Sequence, residues 1–153
     1  MQIEPAVRAG QVEEVRALFR EYWMAFGFSP CFQHFDRELA SLPGAYTPPE
    51  GRLALAWEDG IPAGFVALRR FDAERCEFKR LYVRPAFRGR GIGRALLDWV
   101  LAEARGAGYR EVVADTMPVM AEALRMYERA GFERAAPYAA EPTPGAIYLR
   151  AVL

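Results

Sequence analysis

Phe78-Lys79-Arg80-Leu81-Tyr82-Val83-Arg84-Pro85-Ala86-Phe87-Arg88-Gly89-Arg90-Gly91-Ile92-Gly93-Arg94-Ala95-Leu96-Leu97 changes its period half-way along. Up to Val83 the apolar and aromatic residues read as a strand over residues 76–83, and Pro85 closes it. From Ile92 the pattern is helical. Ile92, Ala95, Leu96, Trp99 and Val100 fall at i, i+3, i+4, i+7 and i+8, and the helix ends near Gly106 or Gly108. The junction is glycine-rich and carries Arg88, Arg90 and Arg94. A helix start leaves backbone N–H groups without intrahelical partners, and its dipole is positive there. Glycines let a ligand approach the backbone closely. With three guanidinium groups added, the natural occupant is a diphosphate. A lone glycine-rich loop would be read as a turn with solvated arginines; the strand before it and the helix after it favour the anion site.

Other phosphate motifs fit poorly. The P-loop needs G-x-x-x-x-G-K-[ST], and no lysine followed by Ser or Thr stands here. The dinucleotide fingerprint G-x-G-x-x-G begins with Gly89 and Gly91, but its third glycine falls on Arg94.

Working outward, residues 3–8 read as a short first strand. Val12, Val15, Leu18, Phe19, Tyr22 and Phe26 recur at helical spacing until Phe28-Ser29-Pro30 breaks the pattern. Residues 32–42 read as a second helix. Residues 53–57 and 63–71, joined by Glu58-Asp59-Gly60, form a hairpin. Residues 111–114 form a strand. A helix starts at Pro118, passes Leu124 and Tyr127 and stops at Gly131; two final strands begin at Phe132 and at Ala146. The order is strand, two helices, three strands, helix, strand, helix, two strands, a mixed α/β arrangement. The crossover through the Ile92 helix favours parallel neighbours on either side.

The 153 residues, 52% of them hydrophobic, suit one domain over 1–153 with a full core. Twenty basic and twenty acidic residues balance, which argues against a nucleic-acid partner. No apolar run is long enough to cross a membrane, and no secretory signal precedes the first strand. Cys31 and Cys76 lack metal-type spacing and His34 is the lone histidine, so no metal is expected. A cytoplasmic location is the corresponding expectation.

Arg88-x-x-Gly91-x-Gly93 resembles the Q/R-x-x-G-x-G/A signature of the GNAT superfamily of N-acetyltransferases, and the surrounding run is similar to that family's strand, loop and helix. Ala123-Leu124-x-Met126-Tyr127-x-x-x-Gly131-Phe132 resembles its second marker. The likeness extends from Leu53 onward and is weak over the first fifty residues. It implies a central, mostly antiparallel mixed sheet of six to seven strands with one splayed parallel pair and four flanking helices. It implies acetyl-coenzyme A as co-substrate. Arg88, Gly89, Arg90, Gly91, Ile92, Gly93 and Arg94 would cradle the pyrophosphate. Leu81, Tyr82 and Val83 would line the pantetheine arm, with the Val83 amide holding the oxyanion.

The resemblance further implies direct acyl transfer to a primary amine. Tyr127 would serve the departing thiolate, with core packing as its plainer reading. Glu77 would be the base, or a strand carboxylate paired with Lys79 or an arginine; both readings stand. Strand alternation puts Glu77 on one face with Lys79, Leu81 and Val83. Many members carry an asparagine where this chain continues Asp115-Thr116-Met117, which puts local contacts there in question. Of the aromatics in the first two helices most read as core, and Phe28 and Phe32 are the candidates for lining an acceptor pocket, with Tyr46 and Tyr138 behind them. The acceptor stays open, as does a homodimer, which is common in the family. A non-catalytic acyl-coenzyme A-binding module is the rival class; the presence of both Glu77 and Tyr127 favours the enzyme.

Overall fold

The structure, a computed structural model, describes residues 1–25, 32–140, 142 and 144–153, with residues 32–34 described by their backbone alone. In chain order the elements are β1 (Gln2–Pro5), α1 (Ala9–Ala25), α2 (Phe32–Ser41), β2 (Arg52–Glu58), β3 (Ile61–Arg70), β4 (Arg75–Val83), α3 (Ile92–Gly106), β5 (Glu111–Thr116), α4 (Ala121–Arg129), β6 (Glu133–Arg134) and β7 (Ile147–Val152). They form one seven-stranded sheet in the order β1-β2-β3-β4-β5-β7-β6. Every neighbouring pair is antiparallel except β4 and β5, which the α3 crossover makes parallel.

The pleat feeds two cores. Leu53, Leu55, Phe65 and Ala67 face α1 and α2, packing with Val15, Leu18, Phe19 and Phe35. Ala54, Ala56, Val66 and Leu68 face α3 and α4, packing with Ile92, Leu96, Val100 and Tyr127. Both faces are covered, which is why β2 and β3 read as near-continuous apolar runs.

Two boundaries differ from expectation. Helix α4 starts three residues after Pro118, because residues 117–120 close a turn in which the Met120 N–H meets the Met117 carbonyl at 2.9 Å. The strand expected from Phe132 is two residues long; Phe132 itself is buried in the core. Its place is set by the end of α4. The Phe132 N–H bonds the Tyr127 carbonyl at 3.0 Å, and the Gly131 N–H bonds that of Glu128 at 3.1 Å. This pair of bonds is a Schellman cap, and it needs the left-handed φ of +102° that Gly131 supplies. The Tyr127 and Phe132 rings then lie 6.1 Å apart, each within 5.5 Å of Phe78. The Tyr-x-x-x-Gly-Phe spacing is therefore a helix stop with its hydrophobic closure.

Strand β4 carries an irregularity the sequence hides. Phe65 pairs with Tyr82 but Ala67 pairs with Lys79, so β4 holds one extra residue. Arg80 sits there with a left-handed φ of 60°. Its guanidinium is held by Glu38 of α2 at 2.9 and 3.1 Å, and lies 5.6 Å from the ring centre of Phe19 and 5.7 Å from that of Tyr22. Tyr46 donates its hydroxyl to the same carboxylate. Removing Glu38 strands a largely buried cation. We expect Glu38→Ala to cost about 2–4 kcal/mol, somewhat below a fully buried pair, read as a fall in the urea midpoint.

Candidate active site

At the start of α3, Gly91 takes a φ of +81° as the residue capping the helix. That left-handed turn, with Gly89 at +79°, aims successive amides at one region of space. The first helical backbone bond runs from Ala95 to the Gly91 carbonyl. Among the described residues none accepts from the amides of Gly89 through Arg94. The arginines divide their work. Arg88 donates from Nε to the Val83 carbonyl at 3.0 Å and lies 5.9 Å from the Tyr82 ring centre. Arg90 lies 5.4 Å from the ring centre of Phe87. Arg94 turns down the helix to Asp98 at 2.9 Å, an exposed i,i+4 pair, so it adds less to the loop than the sequence implies.

The loop is fed by an open strand edge. Pairing between β4 and β5 ends at Glu77 and Val113, yet β4 runs on to Val83 and β5 to Thr116. The Arg84 N–H bonds the Ala63 carbonyl at 2.8 Å, toward β3. Alternation therefore turns the backbone groups of Leu81 and Val83 toward the open edge. Tyr82 is a correction. Its backbone faces β3, and its ring is buried against Phe65 and Tyr22, with Arg88 of the loop 5.9 Å from its centre.

The extra residue at Arg80 forces a second correction. Glu77 and Lys79 share the α1–α2 face, but Leu81 and Val83 pack on the α3–α4 side with Met126, while Tyr82 returns to the first. The shared face expected from simple alternation breaks at the bulge.

Tyr127 is 4% exposed, and burial pushes its phenol well above the ordinary value of 10, so it is protonated at neutral pH. Although α4 lies on one side of the sheet, the hydroxyl interacts electrostatically with Tyr22 of α1 and Asp115 of β5.

Glu77 is 3% exposed and ion-paired. Arg69, opposite it in register, grips Oε1 at 2.7 and 2.8 Å. Tyr138 donates to Oε2 at 2.5 Å, and Lys79 Nζ stands 3.8 Å from it. Burial alone would raise the carboxyl pKa, but Lys79, Arg69 and Tyr138 together outweigh it and hold the group below its ordinary 4.5. Lys79 also reaches across the gap to Asp115 Oδ1 at 3.7 Å. Tyr138, whose signal in the sequence was weak, stacks edge-on with Phe71 and Tyr148 at 5.2 and 5.3 Å, and walls the far side. Phe28 lies outside the described residues, as does the Phe32 side chain; Tyr46 is core. Among the described residues no group of three or more metal-ligating side chains is assembled, and no helix is long and apolar enough to cross a membrane.

The profile of the Acetyltransferase (GNAT) family matches residues 12–132. This chain belongs to the GNAT family of acetyltransferases. An uncharacterised N-acetyltransferase of Schizosaccharomyces pombe is 36% identical over 141 residues, covering 91% of this chain and 86% of that protein. Another from Dictyostelium discoideum is 27% identical over 195 residues, covering 86% and 89%. Among solved structures, an acetyltransferase from Streptococcus agalactiae superposes with a TM-score of 0.83 at 18% identity, over 99% of this chain and 98% of that one. A GNAT acetyltransferase from Elizabethkingia anophelis, solved with acetyl-coenzyme A bound, gives 0.72 at 23% over 99% and 97%. The GNAT assignment makes the chain an N-acetyltransferase.

Proposed function

We propose that this GNAT enzyme moves the acetyl group of acetyl-coenzyme A to a primary amine by direct attack, with both substrates bound at once. One observation carries the reading: the open edge at Leu81 and Val83 runs straight into a helix start with six consecutive amides that no described residue engages. The amides of Gly89 to Arg94, with Arg88 and Arg90 beside them, would take the pyrophosphate. Leu81 and Val83 would hold the pantetheine arm as an added strand edge. The Val83 amide faces the gap and would hold the tetrahedral oxyanion. Tyr127 would donate to the sulfur as it leaves. Cys76 itself is ruled out as a carrier of the acetyl group, because it is fully buried and burial pushes its thiol up to about 12. The test is thiol release from acetyl-coenzyme A across a panel of amino acids and alkylamines, alongside calorimetry of acetyl-coenzyme A. Micromolar binding without release from any amine would favour the binding-module class.

Glu77 enters this reading as the anchor of the acceptor-side wall. If it took the amine's proton, Glu77→Gln would flatten the pH dependence of kcat/KM. With both oxygens engaged, we expect that variant instead to scale kcat/KM down evenly across pH. Its effect on stability has a definite sign. Because folding lowers the pKa, the ionised carboxylate stabilises the fold above about pH 4.5, and that contribution is lost as pH falls through the lower native value. Denaturant melts from pH 7 down to about 3 should show E77Q weaker at neutral pH and with a shallower acid limb.

A further inference from the structure

Two carboxylates face the gap where β4 and β5 part, and they differ in what they have left to offer. Glu77 has a 4% exposed side chain and partners on both oxygens. Asp115 has a 29% exposed side chain, and Lys79 Nζ, at 3.7 Å, is its partner. Asp115 pairs in register with Tyr148 and sits two residues beyond Val113, the last β5 residue bonded to β4. It therefore stands where the strands have already separated. Val112 and Ala114 point into the α3–α4 core, so Asp115 projects to the opposite face, the side of α1, Lys79 and Tyr138. It is also within electrostatic reach of both Tyr127 and Tyr138. The side chain is thus within reach of the group that would serve the leaving sulfur and of the wall that would meet the acceptor.

We propose that Asp115 is the acceptor-side carboxylate of this enzyme: it receives the ammonium form of the amine and takes its first proton. This rests on the acetyl-transfer reading above. An asparagine at 115 could accept a hydrogen bond but not a proton at neutral pH. The step balances as follows. One N–H proton passes to Asp115, and the freed nitrogen lone pair forms the C–N bond at the thioester carbonyl. The oxyanion rests on the Val83 amide. The C–S bond breaks with its electron pair going to sulfur, the second N–H proton reaches that sulfur by way of Tyr127, and Asp115 releases its proton to water. Around Asp115 stand Lys79 from β4, Tyr148 opposite it on β7, and, within electrostatic reach, Tyr138 from the loop before β7 and Tyr127 from α4; Glu77 shares Lys79 with it, with Arg69 of β3 behind, while Arg150 of β7 pairs with Glu111. Of these cations, Lys79 is the one that meets the Asp115 carboxylate directly.

Asp115→Asn tests the proposal with the panel amine that wild type turns over fastest. The wild type can use the ammonium form, so its kcat/KM for the amine stays level below the amine's own pKa. The variant must wait for neutral amine from solution, and its kcat/KM climbs about tenfold per pH unit. We expect a deficit at pH 7 of about 10-fold for an α-amino group, whose pKa is about 8, and about 1,000-fold for an alkyl amine, whose pKa is about 10, closing in each case toward that pKa. The Kd for acetyl-coenzyme A should stay within about twofold of wild type, which also reports an intact fold. A deficit constant across pH, or none, overturns the proposal. If no panel amine is turned over by wild type, the transfer reading fails by itself. Calorimetry of the same amines into the coenzyme A complex then still decides whether Asp115 meets the ammonium. Wild-type binding about tenfold tighter than D115N supports the contact; equal binding overturns it.

Discussion

Tyr127→Phe should lower kcat at least about a hundredfold while the Kd for acetyl-coenzyme A changes by less than about threefold, the loss expected when one donor to developing charge is removed. The ring is fixed by Phe78 and Phe132 and by the cap at Gly131, and the substitution keeps all of those contacts. What goes is a hydroxyl that burial keeps protonated and that lies within electrostatic reach of Asp115. A structural tyrosine would show the reverse pattern, a lowered unfolding midpoint with kcat intact. Stopped-flow thiol release separates the two, and a fully active variant removes Tyr127 from the reaction.

Gly91→Asp should weaken acetyl-coenzyme A by about a hundredfold or more, whereas Gly91→Asn should weaken it by less than about tenfold. Asparagine and aspartate both tolerate the left-handed φ of +81° better than other side chains, so each keeps the cap. Only the aspartate sets a negative charge among amides aimed at a diphosphate, and at about 4 Å two unit charges near a protein surface interact by about 4 kcal/mol. The pair of variants isolates charge from backbone strain. Equal, small losses in both would remove the loop from the cofactor site.

The fold was legible wherever one period dominated. The Ile92 helix, the hairpin over β2 and β3 and the parallel crossover followed from spacing and turn residues, because each of these elements buries one face or both. The loop was legible because its chemistry is local: glycines, arginines and a helix start within seven residues. The acceptor side was not, because it is assembled from distant pieces. Arg69, Glu77, Asp115 and Tyr138 come from three strands and a loop, and nothing in their sequence spacing ties Tyr138 to Glu77 at 2.5 Å. The bulge was hidden for a different reason. Arg80 is an ordinary residue by propensity, and its left-handed backbone is sustained by Glu38, Phe19 and Tyr22, contacts that exist only once α1 and α2 have docked.

That one inserted residue makes β4 a partition wall. Before it, side chains at positions 77 and 79 stand on the face where, on the proposed reading, an acceptor chamber would lie; after it, Leu81 and Val83 pack on the opposite face, that of the proposed donor chamber. The two chambers can therefore drift independently. Substitutions at 77, 79, 115 and 138 can retune which amine is welcomed without disturbing the grip on the thioester. An engineer seeking a new acceptor should randomise those four positions, leave 80–94 alone, and never shorten the strand at Arg80, since deleting it would turn the two chambers inside out.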